Sequence, residues 1–343
     1  MTATTNSDDT TTGLSAGRLA DGLRRAAVRA TLAPSVHNTQ PWRFVLAGDA
    51  LEIYADPARQ LRVLDPSGRQ MLISCGCALF NARVSLAASG LYAHVERTPD
   101  PARNDLVARV TATAVPDTIR PGAGSLARLD SSIDTRRSNR RRFSDDTVPG
   151  WIVDALVSAA AAEGAQLMPI TRLEDRLSVA IESQRADAQE NADPAYRAEL
   201  RIWTNGGHLR DDGVPSSAIP YAGAEAHDDI PVREFDTTGA GELPTETRSS
   251  MNQCLLLLGT DTDTPAAWLR AGEALQHTLL ETARHGYAAS PFTQLIEMPN
   301  TRAMIRRELR LTMHPHVLLR IGHAPTTPAT RRRRLIDMLT EAT

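Results

Sequence analysis

The densest cluster of side chains that could do chemistry is APSVHNTQPWRF, residues 33–44. Ser35, Asn38 and Gln40 follow Pro34 within a few residues, and each carries a hydroxyl or amide that both donates and accepts hydrogen bonds. Such groups suit the mixed polar edge of a planar heterocycle. An ordinary helix-to-strand turn built on Asx and proline chemistry uses the same residues. A second cluster is TRRSNRRRF, residues 135–143. Guanidinium forks bind phosphate bidentately, although a solvated basic stretch or an RNA-contacting patch has the same composition. A third, TRRRRL at 330–335, follows the last expected strand and could equally be a basic tail.

Composition narrows these options. All 38 basic residues are arginine, and lysine is absent from the 343-residue chain. Walker-type phosphate loops and lysine Schiff-base chemistry, pyridoxal phosphate included, both need a lysine. The net charge of −3 and 4% aromatic content argue against a general nucleic-acid binder, which needs a basic excess and stacking surfaces. Three cysteines, Cys75, Cys77 and Cys254, are too few for a disulfide framework and fit a reducing, cytoplasmic setting. The start, MTATTNSDDTTTG, has neither the basic nor the apolar segment of a secretory signal, and residues 1–17 read as a disordered tail. The longest apolar run, Cys254 to Leu258, is too short to cross a bilayer, so no membrane role is expected. Cys75-x-Cys77 and His314-Pro-His316 lack zinc spacing, and no metal site is expected.

The elements that must position these clusters follow from periodicity. Leu19, Leu23, Ala26, Ala27 and Ala30 recur at helical spacing, and Pro34 ends that helix. Residues 42–46 and 51–54 read as strands joined by a turn at Gly48-Asp49. Helices are expected over 70–89, 151–162, 175–189, 268–285 and 302–311, and strands over 106–115, 166–170, 252–258 and 317–321. Residues 117–124 look like a linker. From about 204 to 247 periodicity gives way to Gly, Pro, Asp and Glu, the signature of a functional lid or of disorder. The segments GCALFNARVSLAASGLYA (76–93) and GEALQHTLLETARHGYAA (272–289) align without gaps, with glycines bracketing the same helix length. This reads as an internal duplication.

Together these motifs resemble the flavin-dependent nitroreductase family, most closely its actinobacterial Acg-type branch. The resemblance implies an α+β nitroreductase fold duplicated in one chain as a pseudo-dimer. A first half would span 18–125 and a second 126–343, with a lid insertion at about 204–247. The Pro-Ser-x-x-Asn-x-Gln-Pro-Trp pattern, here Pro34, Ser35, Asn38, Gln40, Pro41 and Trp42, with His37 inside it, implies a turn over a flavin ring. Arg136, Arg137, Ser138 and Arg140 match the family's Arg-Arg-Ser-x-Arg grip on the FMN phosphate and ribityl chain. Arg332 and Arg333 match arginines that follow the terminal Leu-Arg-x-Gly strand, and Ser290-Pro291 falls near the flavin. Arg140 stands where many relatives have lysine, at the ring edge that holds charge on reduction.

Each half retains only part of a site. The turn occurs once, in the first half; its expected second copy, AAEGAQLMPI at 161–170, lacks the polar residues. The Arg-Arg-Ser motif opens only the second half. The expectation is therefore one composite FMN site. It would serve NAD(P)H-dependent reduction of a nitroaromatic or quinone-like acceptor, in a monomeric pseudo-dimer or a homodimer. A flavin-sequestering protein with an occluded site is the alternative.

Overall fold

The computed structural model describes residues 16–98, 100, 102–115, 126–204, 210–220, 230–235, 241–244 and 253–342. Most of the expected polar tail, the 117–124 linker and the remaining parts of 204–247 lie outside the described residues. Helix α1 (Ala16–Ala30) buries Gly22, Leu23, Ala26, Ala27 and Ala30 along one stripe. The chain then turns into β1 (Trp42–Ala47), and Gly48, at φ +61°, supplies the left-handed residue of a hairpin to β2 (Ala50–Ala55). Helix α2 (Arg69–Ala88) ends near Gly90, at φ +70°, and leads to β3 (Leu91–Arg97) and β4 (Leu106–Ala114).

A short α3 (Asp130–Thr135) and α4 (Gly150–Ala162) precede β5 (Gln166–Pro169). The long segment between β5 and the next strand, called the insertion below, carries α5 (Leu173–Ala192) and α6 (Pro194–Thr204). The chain resumes with β6 (Cys254–Thr260), α7 (Pro265–Arg284), β7 (Ala288–Phe292), α8 (Gln294–Glu297), α9 (Pro299–Glu308) and β8 (His314–Gly322). Pro299 sits in the first turn of α9, where its missing N–H costs nothing, so that helix starts earlier than periodicity alone indicates. The last strand, β9 (Leu339–Glu341), returns to the first sheet and pairs parallel with β1.

Helices thus alternate with two largely antiparallel sheets, an α+β arrangement. The first sheet runs β3-β4-β2-β1-β9 and the second β5-β6-β8-β7. Read from the opposite edge, the second is β7-β8-β6-β5, the order of β3-β4-β2-β1, with every pair antiparallel in both. One apolar core joins them, with Trp42, Ile53 and Leu79 in the same cluster as Leu256, Leu269 and Leu319.

Helices α2 and α7 cross at the centre of this core. Fifteen of the twenty residues of α2 are buried, which is why the helix is apolar all round rather than on one face. The crossing point is a pair of glycines. A Cβ on Gly76 would lie 2.1 Å from the Leu269 carbonyl oxygen and 2.8 Å from the Cα of Gly272. A Cβ on Gly272 would lie 2.0 Å from the Ile73 carbonyl oxygen and 2.8 Å from the Cα of Gly76. Ile73 and Leu269 each stand three residues before their glycine, so the two contacts are reciprocal. Beside the crossing, fully buried Glu273 accepts hydrogen bonds from Arg83 at 2.7 Å and from Arg97 at 2.7 and 2.9 Å. Arg83 also bonds Glu163, in the α4–β5 connection, whose other carboxylate oxygen meets His277 Nδ1 at 3.2 Å.

Candidate functional site

The turn at 34–40 is strained and heavily braced. Pro34 lacks the N–H that would continue α1, and Ser35 Oγ accepts the Gln40 N–H at 2.9 Å, closing the loop on itself. His37, Asn38 and Gln40 have φ of +47°, +54° and +50°. Such angles cost non-glycine residues roughly 1–3 kcal/mol each and persist only where the surroundings enforce them. Here Trp42 anchors one end, fully buried. Asn38 Nδ2 donates to the Gly213 and Arg331 carbonyls at 2.9 and 3.2 Å. Gln40 Nε2 donates to the Asp211 carbonyl at 2.8 Å, and its Oε1 accepts the Arg333 N–H at 2.8 Å. From α2, Ser74 Oγ accepts the Val36 N–H at 3.3 Å.

The Arg-Arg-Ser segment reaches the same place from the second half. Ser138 bridges to Ala289 of β7, and Asn139 N–H donates to the Ala289 carbonyl at 2.8 Å. This lays Arg136–Arg140 alongside Ser290-Pro291. After β8 the chain swings back, and Arg332 Nη2 donates to the Leu32 and Ala33 carbonyls at 3.3 and 3.2 Å.

The result is a cleft with two connected lobes that share Pro34, Ser35, Ser138 and Arg140. The more apolar lobe is walled on one side by Gln70, Ser74 and Cys77 of α2 with Leu275 and Leu279 of α7. Ser290 and Pro291 also line it, as do Val232, Arg233 and Phe235 of the insertion. The polar lobe is lined by Asn38, Arg136, Arg137, Thr330 and Arg332.

Its electrostatics are one-sided. Among the described residues no carboxylate pairs with Arg136, Arg137, Arg140 or Arg332. Asp134 borders the polar lobe, but its carboxylate is engaged by Arg29 at 2.7 Å. Burial lowers the Arg136 guanidinium to about 10, with Arg137 adding to the effect against the Cys77 thiol. Burial, then Arg136 and Arg137, lower Arg332 to about 9. Burial and Arg233 lower Arg140 to about 10. The Nε atoms of Arg136 and Arg332 are buried without hydrogen-bond partners, as is Gln70 Nε2 in the apolar lobe. Buried cations without counter-charges are costly, and an anion in the polar lobe would relieve that cost.

The structure brings together Pro34, Ser35, His37, Asn38, Arg136, Arg137, Ser138, Arg140, Ser290, Pro291 and Arg332. Gln40 and Arg333, also expected at the site, line neither lobe. The Gln40 amide is consumed by the backbone partners above, and Arg333 donates to the Gln40 and Asp337 carbonyls at 3.2 and 2.9 Å. Both brace the turn from behind. Sequence reasoning missed Gln70, Ser74 and Cys77, which line the cleft only because α2 is buried against it. It also missed Arg233 and Phe235, which lie inside a stretch without periodicity. No group of three or more His, Cys, Asp or Glu side chains is placed to hold a metal among the described residues.

The insertion packs directly on this turn. Val214, Ala218, Ile219 and Phe235 form a small core with Leu61, Leu64 and Val36, and Asp212 pairs with Arg59. The Arg140 guanidinium lies 4.6 Å over the Phe235 ring and donates to the Ala218 carbonyl at 3.2 Å. Arg233 is buried against Glu190 of α5, Tyr196 of α6 and Glu297 of α8, the last at 2.5 Å. Burial holds the Glu190 carboxyl up at about 8, against the pull of Arg233.

No family model matches the chain. Full-length likeness is found among Mycobacterium tuberculosis proteins. The chain is 35% identical over 325 residues to "Putative NAD(P)H nitroreductase Rv3131", covering 93% of this chain and 91% of that protein. It is 30% identical over 319 residues to "Putative NAD(P)H nitroreductase acg", covering 91% and 93%. Among solved structures, an FMN- and NADPH-dependent nitroreductase, NfnB, from a Sphingopyxis species aligns at 18% identity and a TM-score of 0.39, over 62% of this chain and 97% of that one. A Bacteroides fragilis nitroreductase with bound FMN aligns at 11% identity and a TM-score of 0.37, over 60% and 93%. The assignment rests on the mycobacterial relatives, which the chain matches along more than nine-tenths of their length. The chain belongs to the nitroreductase family, in its Acg-type branch.

Proposed function

We propose that this protein holds one FMN in the two-lobed cleft and is an NAD(P)H-dependent oxidoreductase acting on nitroaromatic or quinone-like acceptors. The observation that carries this reading is a set of arginines, Arg136 buried and Arg137, Arg140 and Arg332 half-buried, with no carboxylate partner among the described residues, converging from two distant stretches of sequence on one polar lobe. Arg136, Arg137, Ser138 and Arg332 would hold the phosphate, through charge-assisted bonds of about 1.5–3 kcal/mol each. Ser35, Asn38 and the apolar lobe would take the ribityl chain and ring, and Arg140 the ring edge where charge accumulates on reduction. Bound FMN supplies the hydride chemistry between NAD(P)H and the acceptor. The protein contributes position, charge and exclusion of water. The mycobacterial relatives carry NAD(P)H nitroreductase in their names, in keeping with this assignment.

The same reading makes the chain a fused pseudo-dimer. Its support is the repeated strand order and the reciprocal glycine crossing. Where a second ring-facing turn would stand, the α4–β5 connection carries Glu163, which joins the buried Arg83, Glu273 and His277 network. A buried network of paired charges there leaves no place for a second flavin. The insertion acts as a lid on the remaining site, held by Asn38, Arg59, Arg140 and Arg233.

Absorbance of the purified protein and the flavin released on denaturation test the reading: one FMN per chain is expected, and none or two would refute it. Anaerobic NADPH should bleach the flavin slowly if the lid closes the ring face; rapid stopped-flow bleaching would refute closure. Steady NAD(P)H oxidation with an added quinone or nitro compound separates an enzyme from a sequestering protein.

A further inference from the structure

His37 sits where the turn meets the insertion. It is 7% exposed, lines the apolar lobe, and neither of its ring nitrogens has a hydrogen-bond partner among the described residues. Its backbone is held at φ +47°. An unpaired buried imidazole on a strained backbone is unfavourable twice over. The lobe it faces has a helix wall, from α2 and α7, and an insertion wall. His37, in the turn, packs against the second, its ring T-shaped to Phe235 at 5.6 Å between centroids.

We propose that His37 determines acceptor specificity, donating a hydrogen bond to the oxygen of a nitro or quinone group held between the flavin ring and the insertion. This rests on the FMN-binding reading above and adds the group that recognises the second substrate. The cations facing His37 are Arg140 from the Arg-Arg-Ser segment and Arg233 from the insertion; together with burial, the dominant effect, they hold the imidazole well below its ordinary pKa. It is therefore neutral at physiological pH, with one N–H to donate and no net charge. A neutral imidazole polarises an oxygen that is gaining electron density without surrendering its own proton. Two-electron reduction of a quinone consumes a hydride, delivered from reduced FMN that NAD(P)H regenerates, and one proton from water, giving the hydroquinone. A nitro group takes the same hydride and proton to give a nitroso group and water. In both cases negative charge builds on an oxygen, and His37 keeps its proton throughout.

The test uses the FMN-loaded full chain and its His37→Phe and His37→Gln variants. Each is reduced with dithionite under argon and then mixed with 1,4-naphthoquinone, nitrofurazone or ferricyanide. Ferricyanide accepts single electrons and needs no hydrogen bond to a developing oxyanion. Relative to ferricyanide, the rates with the quinone and the nitro compound should fall about tenfold in His37→Phe, the scale of one hydrogen bond lost in the transition state. His37→Gln, which keeps a donor, should recover most of that loss. An unchanged ratio in His37→Phe overturns the proposal, and so does a failure of glutamine to restore it. Loss of bound FMN from His37→Phe also overturns it, since the imidazole would then serve the cofactor. A colourless wild-type protein would show, before any acceptor is added, that the underlying FMN reading has failed.

Discussion

Replacing Arg136 with leucine should move two stabilities in opposite directions. Arg136 is 6% exposed, donates one hydrogen bond, to the Leu32 carbonyl at 3.3 Å, and leaves Nε without a partner. Burial lowers its guanidinium from the ordinary arginine range to about 10. A base whose folded-state pKa lies below its unfolded value destabilises the fold fully at any pH below the folded value; relief comes only as pH rises above about 10 toward the ordinary arginine range. At pH 7.5 the whole cost is present, on the order of 3 kcal/mol. Leucine removes the charge and keeps part of the apolar packing, losing about 1 kcal/mol with the Leu32 bond. The flavin-free variant should therefore be more stable by about 2 kcal/mol, or roughly 4 °C in melting temperature for a chain of this size. The same substitution deletes a charge-assisted contact to phosphate worth about 1.5–3 kcal/mol, which weakens FMN binding by roughly 10- to 150-fold. Thermal melts of flavin-depleted and FMN-saturated protein, with a fluorescence-quenching titration of FMN, measure both effects. A flavin-free variant that melts below wild type, or one that binds FMN with wild-type affinity, would refute the account of these arginines as anion ligands held at a cost.

Three other substitutions probe the scaffold. Gly272→Ala forces a methyl group to 2.0 Å from the Ile73 carbonyl oxygen, so α2 and α7 must separate. A loss of at least about 1–3 kcal/mol is expected in urea unfolding, whereas Gly150→Ala, with nothing within 4 Å, should be near neutral. Asp65 is buried, and burial raises its carboxyl from 3.8 to about 6 although it accepts the Met71 N–H at 2.9 Å. An acid raised on folding destabilises above its folded pKa and ceases to do so below its unfolded one. Asp65→Asn keeps an acceptor, so it should melt higher than wild type at pH 7.5 and lose that advantage below about pH 4.

The site was more legible in the sequence than the scaffold that closes it. The turn and the Arg-Arg-Ser segment declare themselves because their residue types are dictated by local chemistry. The edges of the sheets do not. Strand β3 alternates buried and exposed residues at one edge, and β7 carries Pro291 at the edge of the other sheet, where a missing N–H is tolerated. The alternation of β3 is a strand signal, blurred in LYAHVER by Tyr92 and His94 on its exposed face, whereas β7 is short and interrupted by proline and does not read as a strand, although Ser290-Pro291 lies on it. Helix α6 was lost because Tyr196, Leu200 and Thr204 face a small core made with distant Leu61 and Leu64, not the main one. The positions of Gln40 and Arg333 were not readable either. Both are polar residues in the right motifs, and only tertiary packing turns them toward each other instead of toward the cleft.

Arg332 meets Leu32 across 300 residues of chain. At ribosomal speeds of about 5–20 residues per second, roughly 15–60 s separate the synthesis of those two positions. Throughout that interval the turn lacks Arg332 and the Arg331 and Arg333 backbone groups that help enforce its strained angles, and the polar lobe is incomplete. Capture of the proposed FMN should therefore be among the last events in this protein's biogenesis, and the growth of bound-flavin absorbance in a translation reaction would time the closing of the chain upon itself.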